Sequence, residues 1–250
     1  MRRTSPWTAL SRPWSSTTRR VRRTCHPQAG PQLPVISPVR LGQRESHEDW
    51  IDLGRDLIRR GLRSPWLVVS DGAPGLMSAI EQVWPEADRG RCSVHKLRNV
   101  LAKLPKRHVE QREHLKRSYW AALEEASDPG DAERRLRLII AELERRYPSA
   151  AACLADDLPA LCIHLRYLPR LRKRFRSTNL LERSLEEVRR RTKVIGRFPG
   201  ETSCLSLCWA VLDLVVDAAH GLGLTDLDRQ HLLKLSADRQ LARQSLAYTA

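Results

Sequence analysis

Residues 1–44 contain no aspartate, no glutamate and no lysine, yet they carry nine arginines. No carboxylate site can draw on that stretch, and a segment with charge of one sign repels itself and favours a polyanion. Nine of the fifteen excess positive charges of the chain lie there, so the remaining residues are only modestly basic. Aromatic residues are scarce at 5%. No apolar core follows the basic N-terminus, which argues against a secretory leader. The six cysteines (25, 92, 153, 162, 204 and 208) form no repeated Cys-x-x-Cys framework. Reduced thiols in a cytoplasmic protein are the expectation. Long apolar runs are also missing. The longest, "CLSLCWAVLDLVVDAAHGLGL", is broken by Asp213, Asp217 and His220 and reads as a buried helix, with no membrane partner.

What is present suffices for a core: 41% of the 250 residues are apolar. Residues 1–38, rich in Arg, Ser, Thr and Pro without a sustained period, bury too little to fold alone. They read either as a disordered basic arm for DNA or as off-frame sequence. From Glu45 the pattern becomes regular. "ESHEDWIDLGRDLIRRGL" has helical apolar spacing closed by Gly61. "WLVVS" reads as a buried strand, "PGLMSAIEQVW" as a helix stopped by Pro85, "DRGRCSVH" as a second short strand, and "VHKLRNVLAKL" as helix again. Residues 104–174 are helical almost throughout. Strand–helix alternation followed by a run of helices predicts an α/β domain with an all-helical insertion. The core is expected over 39–225, with a C-terminal tail at 226–250.

Four constellations could carry chemistry. Asp71 ends the first strand, in "SDGAPGL". Strand ends are where α/β folds present ligands, but Asp-Gly is also a turn former, so both readings stand. Glu182 lies three residues after Asn179, a pattern that predicts a capping box starting a helix at Asn179 and ending near Ile195–Gly196. The same glutamate could instead hold a metal, with Arg189 two turns on meeting a phosphate. Glu186 could pair with Arg189 or Arg190 and leave only a solvated face. Cys92 and His95, at i and i+3, could serve one ligand, and Cys204 with Cys208 could complete a zinc site. A packed thiol and a hydrogen-bonded imidazole are the simpler account. Finally, Arg183, Arg189, Arg190, Arg191, Lys193 and Arg197 cluster after Glu182, and "RYLPRLRKRFR" precedes it, as phosphate binding requires.

In order and spacing, "SDGAPGL", "RCSVHKLRNVL" and "FRSTNLLERSLEEVRRRTKVIGRFP" resemble the Mutator-type transposases of bacterial insertion sequences. The resemblance spans roughly residues 39–222. It implies an RNase H-like fold with a helical insertion between the second and third acids of a DDE triad. Carried over by position, Asp71 matches the second acid and Glu182 the third. Cys92 and His95 match a Cys-x-x-His signature, Thr178 and Asn179 lead to the glutamate, and Arg189 follows it. The implied chemistry is Mg²⁺-dependent strand cleavage and strand transfer on a two-metal site, acting on transposon ends and target DNA as a homo-oligomer. The first acid of the triad would lie upstream of Asp71, where residues 1–44 offer none. Residues 1–38 are therefore expected to be off-frame or replaced sequence joined to a truncated transposase. Activity is then impaired, and an inactive remnant that binds DNA or an intact transposase is the alternative.

Overall fold

The computed structural model describes residues 46–218 and 224–248. The basic segment 1–38, Glu45 and His220 lie outside the described residues. Helix α1 (His47–Arg59) opens the described chain. Ser46 caps it, its hydroxyl accepting from Asp49 N at 3.2 Å. Gly61, at φ +94°, ends it in the left-handed form that glycine adopts freely. Strand β1 (Leu67–Ser70), helix α2 (Pro74–Val83) and strand β2 (Asp88–Arg91) then form one βαβ unit. The strands are parallel, Leu67 opposite Asp88 and Ser70 opposite Arg91. α1 packs on α2 at Gly54, where a β-carbon would stand 3.0 Å from Val83 Cγ1.

β2 has almost no apolar character, and neighbours hold it in place. Gly90 is buried, and a β-carbon there would reach Leu67, Val69 and Ile163 at 3.2–3.4 Å. The N-terminal ends of both strands are knotted by later residues. Arg239 Nη1 donates to Trp66 O at 3.0 Å, and its Nη2 pairs with Asp88. The Tyr167 hydroxyl lies 2.9 Å from the same Asp88 carboxylate.

Helices follow without further strands among the described residues: α3 (Ser93–Ala102), α4 (Val109–Glu124), α5 (Pro129–Glu144), α6 (Pro148–Ala155), α7 (Leu158–Cys162) and α8 (Pro169–Phe175). A 3-10 turn (Ile163–Arg166) links α7 to α8. The main apolar core runs from Leu97 in α3 to Leu165 in this turn. It is built from these helices, and no strand residue belongs to it. α5 packs on α6, and Ala132 and Leu136 of the first and Ala150 and Leu154 of the second have no exposed surface. α9 (Asn179–Thr192) packs on α10 (Glu201–Ala218). The 226–250 stretch carries α11 (Asp226–Tyr248), joined to α8 where Arg170 Nε donates to buried Asp228 at 2.7 Å.

The α/β character expected of the whole core is thus confined to one two-stranded unit, and the described chain is predominantly helical. Two local expectations are corrected. α9 ends at Thr192, a turn before Ile195, where the Thr192 hydroxyl bonds the Arg189 carbonyl at 3.3 Å. Its start is capped by Thr178 and not by Asn179, with no side-chain hydrogen bond to the orphan amides.

Candidate active-site edge

The C-terminal edge of the two strands gathers the chemistry. The ladder continues one step beyond the strands, Cys92 N donating to Ser70 O at 2.7 Å. Asp71 and Cys92 therefore leave adjacent strands side by side, about 5 Å apart in backbone. Asp71 is exposed, and its Oδ1 accepts from Ala73 N at 3.2 Å. So the carboxylate does shape the turn, while its exposure leaves it open to a ligand. Gly72 takes φ +95°, and its amide donates to Ser70 Oγ at 3.1 Å.

Arg91 lies against Gly72. A β-carbon on Gly72 would fall 1.2 Å from Arg91 Nη1. The Arg91 side chain is nearly buried, with Nε 3.7 Å from Asp157 Oδ2, and neither Nε nor Nη1 makes a hydrogen bond among the described residues. Asp157 sits at φ 66°, between α6 and α7. It also lies 3.8 Å from Lys96 Nζ, as does Asp156. Lys96 is 1% exposed, and its pKa falls because burial strips water from the ammonium, against the pull of Asp157 and Asp156. The helical insertion thus places its acids under the sheet edge.

The link between α8 and α9 brings the glutamate. Ser93 N donates to Arg176 O at 2.8 Å, and the Arg176 guanidinium stands 4.7 Å over the Trp120 ring. This pins the irregular link Arg176–Thr178 against the start of α3. The Thr178 hydroxyl donates to Glu182 Oε1 at 2.8 Å and lies 3.4 Å from Cys92 Sγ and 3.5 Å from His95 Nδ1. His95 Nδ1 is 3.6 Å from Glu182 Oε1. The expected capping box is therefore replaced: the glutamate is held by the Thr178 hydroxyl and does not reach back to a backbone amide. Asn179 stays exposed.

Cys92 and His95, one turn apart, form one cluster with Glu182, which lies about 90 residues further along the sequence. Among the described residues they are the one group of three whose ligating atoms lie within 4.8 Å of one another. Asp71 shares their edge but is not in that group. Cys204 and Cys208 are not in it either; on α10 they face each other.

A family profile described as "Transposase, Mutator family" matches residues 35–218, a span holding every element from α1 to α10. The chain belongs to the Mutator family of transposases. Similar proteins include the transposase of insertion sequence ISRM5 from Rhizobium meliloti (strain 1021), 38% identical over 70% of this chain and 43% of that protein. The IS6120 transposase of Mycolicibacterium smegmatis is 36% identical over 69% of this chain and 52% of its own length. The IS1081 transposase of Mycobacterium tuberculosis is 30% identical over 84% of this chain and 51% of that protein. The chain spans about half the length of the curated relatives it matches. All the site residues of this Mutator-family chain lie inside the matched span.

The basic face of α9 divides in two. Arg190 and Arg191 both bond Glu187, at 2.8 and 2.7 Å, and hold its carboxyl down to about 2. Arg190, which Glu186 could have paired, is thus held by Glu187. Arg183, Arg189 and Lys193 are exposed and make no ion pair among the described residues. Sequence reasoning missed Arg91, Lys96 and Asp157. Lys96 left one sign: it lies on the apolar stripe of α3, four residues before Val100. No helix of the described residues is long and apolar enough to cross a membrane.

Proposed function

We propose that this chain takes part in DNA transposition, using a DDE-type site in which Asp71 and Glu182 are the second and third carboxylates. The supporting observation is the shared edge: Asp71 leaves β1 beside Cys92, and Cys92 touches Thr178 at the head of the glutamate's helix. Both acids offer the hard oxygens that Mg²⁺ takes, and both are at least partly exposed, so they fit that ion in kind. Cys92 and His95 do not fit it. When bound, Mg²⁺ would polarise the scissile phosphate and stabilise charge on the attacking and leaving oxygens. The chain's own part is to hold the two carboxylates on rigid element ends and to steer the DNA backbone by Arg183, Arg189 and Lys193. In this reading the βαβ unit belongs to an RNase H-like sheet, the partners are transposon ends and target DNA, and the chain works as a homo-oligomer.

Two carboxylates hold the metal pair less well than three, and residues 1–44 supply none. The expected result is weak Mn²⁺ binding at the strand edge, read as paramagnetic broadening around Ser70–Ala73, with little nicking of terminal-repeat DNA. Asp71→Asn and Glu182→Gln should each remove the broadening. Broadening that survives both substitutions overturns the assignment. Robust nicking lost in Asp71→Ala would show that another group replaces the first acid. The second reading, an inactive chain that binds DNA or an intact transposase, is favoured if DNA binding is salt-dependent and nicking is absent.

Glu187 gives an independent check on the DNA-facing side. It engages both Arg190 and Arg191 and offsets one of their two charges. Glu187→Ala should free both, raise affinity for duplex DNA and steepen the logarithmic salt slope by about one to two. Unchanged affinity and slope would mean that this face of α9 does not meet DNA.

A further inference from the structure

We propose that Cys92, His95 and Glu182 form a binding site for one thiophilic divalent cation of the Zn²⁺ class, where α3 and α9 meet the sheet edge. The inference goes beyond the transposition reading and does not rest on it. It starts from the donor set. A thiol, an imidazole and a carboxylate are the ligands of a borderline-soft ion, whereas Mg²⁺ prefers oxygen alone.

The spacing agrees. Ligands at about 2.0–2.3 Å from a tetrahedral zinc stand roughly 3.3–3.7 Å from one another. His95 Nδ1 and Glu182 Oε1 are 3.6 Å apart, and the three ligating atoms lie within 4.8 Å of one another. Side-chain movement of less than about 1 Å would close the set around an ion.

The ligands come from element ends that are already fixed. Cys92 caps α3 and is tied to Ser70 through its amide; His95 sits in the first turn of α3; Glu182 sits in the first turn of α9. Burial is graded across the site. Cys92 is fully buried, while the His95 and Glu182 side chains are 24% and 35% exposed. A cation can therefore enter from solvent, with the thiolate at the back. Three protein ligands leave a fourth place, beside which the Thr178 hydroxyl already lies. Thiolate and carboxylate together balance the two positive charges of the ion, so the loaded site is neutral.

Binding is a ligand exchange without redox change. The Cys92 S–H bond breaks, the proton leaves to solvent, and a sulfur–metal bond forms. Glu182 Oε1 is the oxygen that meets Thr178 and His95. A carboxylate has two oxygens, so the same residue can serve this ion and a hard ion at the Asp71 side.

The test is a Co²⁺ titration of the full chain under a non-chelating reductant. One ion should bind, giving a near-ultraviolet sulfur-to-cobalt band and the intense visible bands of a four-coordinate site, and Zn²⁺ should bleach both. Cys92→Ser should abolish the ultraviolet band, and Glu182→Gln should weaken binding about tenfold or more. The double variant Cys204→Ser/Cys208→Ser should retain both bands. The proposal is overturned if no sulfur band appears, or if it survives Cys92→Ser and vanishes with Cys204 and Cys208. Should Cys92→Ser fail to fold, His95→Cys decides. A second thiolate intensifies the band if the site is real and leaves it unchanged if it is not. Cobalt bands that persist in a chain that neither binds nor cuts DNA would count against transposition alone.

Discussion

Gly72→Val should lower stability by roughly 3 kcal/mol and disorder the turn that carries Asp71. Two effects add. At φ +95° a β-branched residue is strained by about 1–3 kcal/mol. Its β-carbon would also occupy the place of Arg91 Nη1, 1.2 Å away. The arginine can leave only by giving up its buried place beside Asp157. A double-mutant cycle separates the two effects. Arg91→Ala removes the steric conflict, so Gly72→Ala should be milder on that background, leaving backbone strain alone. Urea unfolding gives the four free energies. Strict additivity would show that Arg91 does not stand where the turn needs the room.

The second large effect concerns pH. His164 is 2% exposed, and Nδ1 lies 3.0 Å from the Leu161 carbonyl, to which its N–H donates. Burial first, then the Arg176 and Arg172 charges, pushes its pKa from 6.5 down to about 4, against the hydrogen bond to Leu161. A depressed histidine means that the unfolded chain takes up the proton first. The stability it contributes is complete above pH 6.5 and is lost as pH falls toward 4, by about 3 kcal/mol in all. His164→Asn keeps a donor for Leu161 and does not titrate. Its stability relative to the parent chain should therefore improve steadily from pH 6.5 to pH 4. Parallel stability curves over that window would refute the assignment.

The helices were legible because their apolar spacing matches their burial. α5 shows this: Ala132, Leu136, Ile139, Ile140 and Leu143 recur at helical intervals and are all buried. β1 was legible from Leu67, Val68 and Val69, and Asp71 from its place just beyond them. β2 could be placed only loosely, since Asp88 and Arg89 are held by tertiary partners and not by strand preference. The capping pattern at Asn179 misled by one residue. Thr178 and Asn179 are both good caps, and nothing local says that the threonine hydroxyl will turn toward Glu182. That Cys92, His95 and Glu182 meet is a property of the fold, because 86 residues separate Cys92 from Thr178. The buried pairing of Lys96 with Asp156 and Asp157 was equally out of reach, since a lysine on an apolar stripe predicts a partner without naming it.

That lysine also sets an order of events. Its counter-charges arrive 60 residues later in the chain, the hydroxyl that joins Cys92 to Glu182 arrives 86 residues later, and the arginine that knots Trp66 arrives 173 residues later. Closing such long loops is slow compared with forming a helix. As the chain leaves the ribosome, β1 and β2 can pair early, but Lys96 cannot be buried until α6 and α7 exist. The strand edge that carries Asp71 is therefore expected to be among the last parts to assemble. A chain halted before Asp156 would display that edge open, with its charge uncompensated.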